Sequence, residues 1–286
     1  VNEGQLLKFF GRELLPGYRQ HELLLIHQMI NGKMNFTHEE VVELFTEYDL
    51  AFDRATIDSV FATLSLSFYV GGQRKSYAGG AFLTQEGEIR TITNGLRQAL
   101  NNPYFGELLE DSLAVAFEKS KAYRTDMPLT RNKKYRRRDT IRLFNWKEQM
   151  VDQNIGGYTY KDGKFVVFVT LKKDEDFKGA LMAYEDELLD AQTLHYFTKS
   201  PRTIHSPEVK ILQNPIDWNI YVFAQKSNDE GTDFYYLGEV RPVRETIRQV
   251  EKPTKDGKKQ SVVQMNLSFT EPIDHRLFQY LSSTED

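Results

Sequence analysis

Cysteine is absent from this chain of 286 residues, and its absence excludes several kinds of chemistry. A chain without cysteine has no disulfide scaffold, no thiol nucleophile and no Cys-ligated zinc site. Long apolar runs are missing too, since no stretch approaches the roughly 18–20 residues that span a bilayer, and no signal-peptide pattern opens the chain. We therefore expect a cytoplasmic, globular protein, in keeping with a hydrophobic content of 40 % and a charged content of 27 %.

Sequence patterns that mark catalytic centres are also missing. Gly163-Lys164 could end a Walker loop, but Tyr158 stands where that loop needs its first glycine, and Phe165 where it needs a hydroxyl residue. The histidines never pair at the i, i+4 spacing of a helical zinc site, and no Gly-x-Ser-x-Gly elbow supports a serine hydrolase. We therefore expect no catalytic residue, no metal and no cofactor in this chain.

Charge is present but unevenly spread. Residues 1–122 hold 11 Lys and Arg against 16 Asp and Glu, whereas the remainder holds 26 against 25. A net charge of −4 gives no bulk attraction to nucleic acid, so any such binding must come from a local patch. The chain also begins at Val1 rather than at a methionine, which we interpret as the start of a fragment of a longer protein.

The pattern of residues 1–122 predicts helices followed by a small hairpin. Thr37 and Glu40 have capping-box spacing, and Asp53 precedes an apolar helical stripe. Three helices followed by a hairpin is the order of a winged helix, so we expect a helical, winged-helix-like coupling domain. Its third helix carries two aspartates, Asp53 and Asp58, against the single Arg54, which disfavours a role in reading DNA.

The second half of the chain predicts a β-rich domain. Residues 123–134 are polar and predict a linker, so this domain covers 135–286. Asp162-Gly163 is typical of a tight hairpin turn, and Ser206-Pro207 of a helix start. Strands are expected at 158–160, 165–171, 218–225, 233–240 and 261–269. Together they predict a small, partly open antiparallel β-barrel with flanking helices, and the fold class is α+β.

A basic run overlaps the end of the linker, with six cations in the eight positions from Arg131 to Arg138. Such a run can neutralise phosphates, so DNA-backbone contacts are expected here and in the loop Ser200-Pro201-Arg202-Thr203. A solvated linker is the alternative interpretation of the run. The candidate backbone-binding residues are Lys133, Lys134, Arg136, Arg137, Arg138, Ser200 and Arg202.

Two acidic clusters leave another function open. They are Asp174-Glu175-Asp176 and Glu185-Asp186-Glu187. A metal-dependent nuclease needs two or three carboxylates that converge near a lysine. Solvated loop charges are the simpler interpretation, and a protein-interaction module without any catalysis is a third.

Motifs in the second half occur in an order that resembles a known family. The motifs are Arg142-Leu143-Phe144-Asn145-Trp146, Asn154-Ile155-Gly156-Gly157-Tyr158, Phe168-Val169-Thr170, Tyr184-Glu185-Asp186-Glu187, Ser200 to Glu208 and Asp233 to Gly238. The set resembles the C-terminal domain, formerly of unknown function, of bacterial DEAD/DEAH-type helicases with a phospholipase-D-type nuclease. Residues 1–122, with Asn102-Pro103-Tyr104-Phe105, resemble the helical segment that follows the helicase motor.

The resemblance implies a part of an ATP-dependent, modification-dependent (type IV) restriction enzyme. The implied partners are double-stranded DNA, methylated at cytosine, and the helicase and nuclease domains of the same protein, with no membrane involved. ATP and Mg²⁺ belong to those other domains. The C-terminal domain of the family is similar to base-flipping domains, so this fragment would recognise the modified base without catalysis of its own.

Aromatic and acidic residues of the second half suggest a pocket for that base. Tyr158 follows two glycines, and Tyr184 and Asp186 share one side of an extended segment. Asp186 would accept from a cytosine amino group while a tyrosine stacks on the ring. The other candidates for the base pocket are Trp146, Tyr196 and Tyr235.

Overall fold

Two units make up the chain in the computed structural model, which describes residues 2–150, 155–172 and 185–283. The first unit comprises residues 1–130 and 138–150, and the second comprises residues 131–137 and 151–286. No helix within the described ranges is both long and apolar enough to cross a membrane.

The first unit is mainly helical, and its three described strands pair antiparallel in the order β1-β3-β2. α1 (Asn2–Phe9) passes into a π-helical turn (Phe10–Leu14). The other elements are α2 (Gln20–Ile30), β1 (Asn35–Phe36), α3 (His38–Glu47), α4 (Arg54–Leu64), α5 (Gly71–Ser76), β2 (Leu83–Glu86), β3 (Ile89–Ile92), α6 (Asn94–Leu100), α7 (Pro103–Ser120) and α8 (Arg137–Leu143).

Helix starts in this unit follow the local sequence. The Thr37 hydroxyl accepts from the Glu40 amide at 3.3 Å, and the Glu40 carboxylate accepts from the Thr37 amide at 3.0 Å. This is the predicted capping box, and it fixes the first turn of α3. The Asp53 carboxylate accepts from the Thr56 amide at 3.1 Å and begins α4, as predicted.

A buried ion pair explains why residues 138–150 belong to the first unit. The Arg142 guanidinium donates to Glu22 at 2.9 Å, and both side chains are nearly inaccessible to solvent. The sequence analysis drew the second domain from residue 135, which separates Arg142 from this partner. Pairing over 120 positions leaves no periodic signal in the sequence, so residues 138–150 were not recognised as part of the first unit.

The second unit is built on one large mixed sheet, in which eight described strands take part. Their order is β5-β6-β9-β10-β11-β8-β7, and β4 pairs with β10 outside that path. The strands are β4 (Lys134–Arg136), β5 (Tyr158–Lys161), β6 (Lys164–Lys172), β7 (Glu187–Asp190), β8 (Thr193–Phe197), β9 (Asn219–Ser227), β10 (Asp233–Pro253) and β11 (Lys259–Phe269). Two described α-helices of this unit are α9 (Pro207–Gln213) and α10 (His275–Ser282).

The α+β class is confirmed, and the expected antiparallel barrel is corrected in two respects. β6 and β9 run parallel, from the pair Lys164 and Asn219 to the pair Lys172 and Ser227. A parallel pair needs a long connection, and the chain between β6 and β9 supplies one. The sequence analysis expected a partly open barrel, and the described strands form an open path with no barrel closure.

Local turn chemistry fixes the β5–β6 hairpin as predicted. Asp162 and Gly163 both have positive φ, 50° and 76°, as a two-residue hairpin turn requires. β6 then runs through residues 165–169, which are all buried, so both of its faces are covered. Because β5 and β6 are antiparallel, the end of β6 lies beside the start of β5, where a pocket forms.

Candidate functional site

A pocket of about 400 Å³ lies in the second unit, between the glycines that precede β5, the end of β6 and the end of β8. Its walls include the aromatic side chains of Phe168, Tyr196 and Phe197, each less than 10 % exposed. Polar groups from Asp186, Lys199 and the residues near them complete the lining. The pocket therefore combines apolar walls with a few fixed polar groups, the usual composition of a small-ligand site.

Tyr158 anchors one wall through its hydroxyl. The hydroxyl donates to Glu208 at 2.7 Å, and Glu208 forms an ion pair with Arg202. Burial, together with the hydrogen bond to Glu208, raises the pKa of the Tyr158 phenol above its ordinary value. Burial alone would raise the pKa of the Glu208 carboxyl, but the hydrogen bonds from Tyr158 and Arg202 outweigh it and lower that pKa. The phenol thus stays neutral while the carboxylate stays charged.

Lys199 lies directly over this tyrosine. Its ammonium is 4.3 Å from the centroid of the Tyr158 ring and donates to the carbonyl oxygens of Ile155 and Tyr158 at 3.4 and 3.3 Å. Burial, and then the neighbouring Arg202, lower the pKa of Lys199. Gly156, with φ +56°, permits this approach, because a Cβ there would lie 3.2 Å from the lysine side chain.

Asp186 is oriented by the backbone of β8. Its Oδ1 accepts from the Phe197 amide at 2.9 Å. Tyr196, the residue before, is buried, and burial raises the pKa of its phenol, with the Asp186 charge adding to the effect. A carboxylate held in this way offers an acceptor at a fixed position in the pocket.

The loop after β8 is attached to β11. The Thr198 amide donates to the Val263 carbonyl at 2.9 Å, and the Val263 amide donates back to the Thr198 hydroxyl at 3.0 Å. Further along, the Ser200 hydroxyl donates to Gln260 at 2.7 Å. The loop therefore continues the edge pairing of β11 and holds the pocket wall in place.

The structure brings together three of the residues that the sequence suggested for a base pocket, namely Tyr158, Asp186 and Tyr196. Tyr184 lies outside the described residues. Trp146 is buried within the first unit, and Tyr235 lies against Tyr280 at 6.2 Å between ring centroids, away from the pocket lining.

Stacking of a base on Tyr158 is disfavoured by the contacts of its ring. The ring already stacks on Phe165, with centroids 5.6 Å apart, and also carries the Lys199 ammonium. The other aromatic side chains of the lining are Phe168, Tyr196 and Phe197, and Phe168 is itself stacked on Phe223 with ring centroids 4.9 Å apart.

Most of the predicted backbone-binding cations have internal contacts, and so does Arg131 beside them. Arg131 donates to Glu271 at 2.6 Å, and Arg138 pairs with the buried Glu13 of the first unit at 3.2 Å. Lys134 and Arg137 lie 4.7 and 4.9 Å from the ring centroids of Tyr235 and Phe234. Lys133 is half-buried and Arg136 lies on β4.

Two members of that predicted set line the pocket, namely Arg137 and Ser200. Arg202 does not line it, and its guanidinium pairs with Glu208. Cations with such internal contacts stabilise the protein. From the sequence alone, they cannot be told apart from cations that bind phosphates.

Of the two acidic clusters, only the second lies within the described residues. Residues 174–176 lie outside the described residues. Asp186, from the second cluster, belongs to the pocket, while Glu187 is exposed on β7. Within the described ranges, no group of three or more histidines and carboxylates is arranged to hold a metal ion.

The sequence analysis missed several pocket residues. Lys199 stands directly before the Ser200-Pro201-Arg202-Thr203 loop, so a lysine flanking a loop of donors was the available signal. Phe168 and Thr170 lie in a predicted strand, whereas no strand was predicted around Phe197, and only the pairing of the strands shows which end faces the pocket.

Two protein families match the chain. The family described as Domain of unknown function (DUF3427) matches residues 129–281. The family described as Domain of unknown function (DUF8090) matches residues 1–125. No curated protein matches the chain.

Similar solved structures include three complexes. The SUVH5 SRA domain with hemi-methylated CG DNA is 13 % identical, with a TM-score of 0.33, and the match covers 51 % of this chain and 92 % of that one. SUVH6 of Arabidopsis thaliana with SAM is 9 % identical, with a TM-score of 0.34, covering 51 % and 27 %. The sulfur-binding and SRA domains of ScoMcrA with phosphorothioated DNA are 10 % identical, with a TM-score of 0.30, covering 92 % and 90 %. TM-scores this low carry no inference about this chain.

Proposed function

This chain belongs to the family described as Domain of unknown function (DUF3427), and from that premise we propose that its second unit reads a modified base in DNA. The base, a methylated cytosine turned out of the duplex, would enter the pocket beside β6 and β8. The observation that carries this proposal is a single pocket of about 400 Å³ that combines a fixed carboxylate acceptor with three aromatic side chains. The chain binds DNA and has no catalytic role of its own.

Asp186 supplies the polar part of the recognition. Cytosine is distinguished by its exocyclic amino group, which donates hydrogen bonds, and a carboxylate accepts them. Because the Phe197 amide holds Asp186 at 2.9 Å, the acceptor is oriented before the base arrives. Binding then costs less side-chain ordering than it would with a mobile carboxylate.

The aromatic residues supply the apolar part. A base that leaves the duplex loses stacking worth a few kcal/mol, which aromatic contacts in the pocket must replace. Phe168, Tyr196 and Phe197 offer that surface. A 5-methyl group adds only about 0.8 kcal/mol when buried, so discrimination between cytosine and its methylated form depends on a close fit around that group.

The wider context of the proposal rests on the sequence resemblance. We place the chain in a cytoplasmic restriction system in which a helicase and a nuclease of the same protein act on the DNA that this part recognises. The first unit would couple recognition to the motor. A winged-helix interpretation of that unit is supported by its element order, α2-β1-α3-α4-α5-β2-β3, and by the sheet order β1-β3-β2.

Binding of the full chain to matched duplexes tests the proposal. The duplexes contain cytosine, 5-methylcytosine or 5-hydroxymethylcytosine at one position, and affinity is measured by fluorescence anisotropy. We expect a preference for a modified duplex, which Asp186→Ala lowers about tenfold, as the loss of a good base contact should. Glu187→Gln is the matched control, because it removes a neighbouring exposed charge and should keep the preference.

Two results would contradict the proposal. One is equal affinity of the unaltered chain for all three duplexes. The other is an unchanged preference in a folded Asp186→Ala variant, which would locate base recognition outside this pocket.

A further inference from the structure

A long hairpin extends from the sheet of the second unit. β10 and β11 pair beyond an irregularity between Val243 and Arg248, and they continue as far as the pair Pro253 and Lys259. The sequence analysis ended the first of these strands at residue 240. We call residues 244–260 the basic hairpin, since they contain six Lys or Arg and three Asp or Glu, in a chain whose net charge is −4.

The cations of the basic hairpin are mostly exposed. Lys252 is half-buried, and the other five cations are exposed, namely Arg244, Arg248, Lys255, Lys258 and Lys259. An ion pair of the hairpin, between Lys259 and Glu251, is 3.7 Å long and both of its side chains are exposed. Exposed pairs of this kind contribute little, so they do not neutralise the surface in water.

One side of the basic hairpin is attached to the pocket. Lys252 lines the pocket, and Gln260, its cross-strand partner, accepts from the Ser200 hydroxyl at 2.7 Å. Arg248 lies four residues before Lys252 on the same strand, so the two side chains share one face. Cations therefore lie along the ribbon on both sides of Lys252, at Arg248 toward the sheet and at Lys258 near the turn.

The basic run at 131–138 contrasts with this surface. Arg131 and Arg138 pair with Glu271 and Glu13, and Arg137 lies against Phe234. Those contacts use the cations within the protein, whereas Arg248 and Lys258 of the hairpin project into solvent. The hairpin is thus the better-placed partner for phosphates near the pocket.

We propose that the basic hairpin binds the phosphate backbone of the duplex beside the base that enters the pocket, an inference that rests on the proposed function. Phosphates are the partner that exposed guanidinium and ammonium groups fit, and a two-stranded β-ribbon is a shape that the major groove admits. Its attachment to the pocket wall sets the distance between the held backbone and the recognised base. An acidic protein surface is negatively charged, as a phosphate backbone is, and could also bind these cations. The position of the hairpin beside a base pocket favours DNA over such a protein.

The test compares two triple variants of the full chain. Arg244→Gln, Arg248→Gln and Lys258→Gln remove three exposed hairpin cations. Lys161→Gln, Lys210→Gln and Arg276→Gln remove three exposed cations elsewhere in the same unit and serve as the control. Affinity for modified and unmodified duplexes is measured over a series of salt concentrations, with thermal melting of each variant as a check on folding.

The hairpin variant should bind both duplexes more weakly by the same factor, at least tenfold, and its plot of log affinity against log salt should flatten by up to about 0.9 per lost contact. The preference for modified DNA should survive, and the control variant should match the unaltered chain. If the triple variant fails to fold, Lys258→Gln alone, next to the turn, should flatten the plot by up to about 0.9.

The outcomes separate the two proposals. An unchanged salt slope in a folded hairpin variant overturns the hairpin proposal, even where modified DNA is still preferred and the proposed function stands. A lost preference with retained overall affinity also overturns it, because the hairpin would then read the base. If the unaltered chain shows no preference but the hairpin variant still loses salt-dependent affinity, the proposed function fails and the hairpin proposal stands.

Discussion

At the scale of single residues, the pocket depends on a glycine that lets a lysine reach the backbone. Gly156 has a positive φ of +56°, and its missing side chain leaves room for Lys199, whose ammonium donates to two carbonyl oxygens. The same ammonium covers the ring of Tyr158. One residue without a Cβ therefore decides where a positive charge lies at the pocket wall.

Replacement of that glycine is the first prediction at this scale. Gly156→Ala should destabilise the chain by about 1–2 kcal/mol from backbone strain, and by a further amount because Lys199 must leave its carbonyl partners. Gly87→Ala is the control, since Gly87 also has a positive φ, +64°, but has nothing within 4 Å of a new Cβ. The measurement is chemical denaturation of both variants.

A double variant isolates the contact. Adding Lys199→Ala to Gly156→Ala removes the side chain that the new Cβ would displace, so, measured against Lys199→Ala alone, Gly156→Ala should cost no more than Gly87→Ala does in the unaltered chain. Equal destabilisation by the two glycine variants would show that Lys199 moves aside without cost and that its position is not fixed by Gly156.

At the scale of elements, one helix, α8, is held in the first unit by a buried ion pair and a hydrogen bond. α8 presents Arg142 to Glu22 of α2, and Glu22 also pairs with Arg19. The Ser59 hydroxyl of α4 donates to the Arg142 carbonyl at 3.1 Å. A buried ion pair thus connects α8 to α2, and a hydrogen bond connects α8 to α4 at the same residue.

Breaking this network is the prediction at the element scale. Arg142→Leu should lower the free energy of unfolding by about 3 kcal/mol, because it removes one partner of a buried pair and leaves part of the Glu22 charge uncompensated. Arg54→Leu is the control, since Arg54 pairs with Asp58 on the surface, where both side chains are more than half exposed. That change should stay within about 0.5 kcal/mol.

Urea denaturation distinguishes the two variants. A loss for Arg142→Leu no larger than that for Arg54→Leu would mean that the buried pair contributes nothing and that packing alone holds α8. Adding Glu22→Gln to Arg142→Leu should increase the loss, since it leaves the buried guanidinium of Arg19 without its carboxylate partner.

Elements that depend on adjacent residues were predictable from the sequence, and elements that depend on distant ones were not. The capping box at Thr37 and the turn at Asp162-Gly163 use residues a few positions apart, and both are confirmed. The parallel pairing of β6 with β9 joins segments more than fifty residues apart. The length of β10 was missed because its outer half is polar and exposed, so it lacks the alternation that marks a half-buried strand.

The pocket shows the same division. Tyr158 and Asp186 were suggested by short-range features, a pair of glycines and a Tyr-x-Asp spacing, and both line the pocket. Lys199 and Phe197 reach it only because β8 pairs with β11 and the following loop continues that edge. Trp146 was chosen for its chemistry alone, and burial within the first unit explains why it lies elsewhere.

At the scale of the whole molecule, the two units differ in charge and in the surfaces that they offer to DNA. The first 122 residues are net acidic, while the second unit carries both the pocket and the basic hairpin. Recognition in this account needs only the second unit, because backbone binding and base binding lie side by side on it. In this account the first unit takes no part in base recognition.

Extrusion of the modified base on binding is the central claim, and base stacking reports on it directly. A duplex with 2-aminopurine next to a 5-methylcytosine fluoresces weakly while the bases are stacked. When the full chain binds, we expect the fluorescence to rise, because the neighbour of 2-aminopurine leaves the stack for the pocket, and to rise much less with Asp186→Ala. Preferential binding of the methylated duplex with unchanged fluorescence would contradict the account, since the base would then be recognised while still inside the duplex.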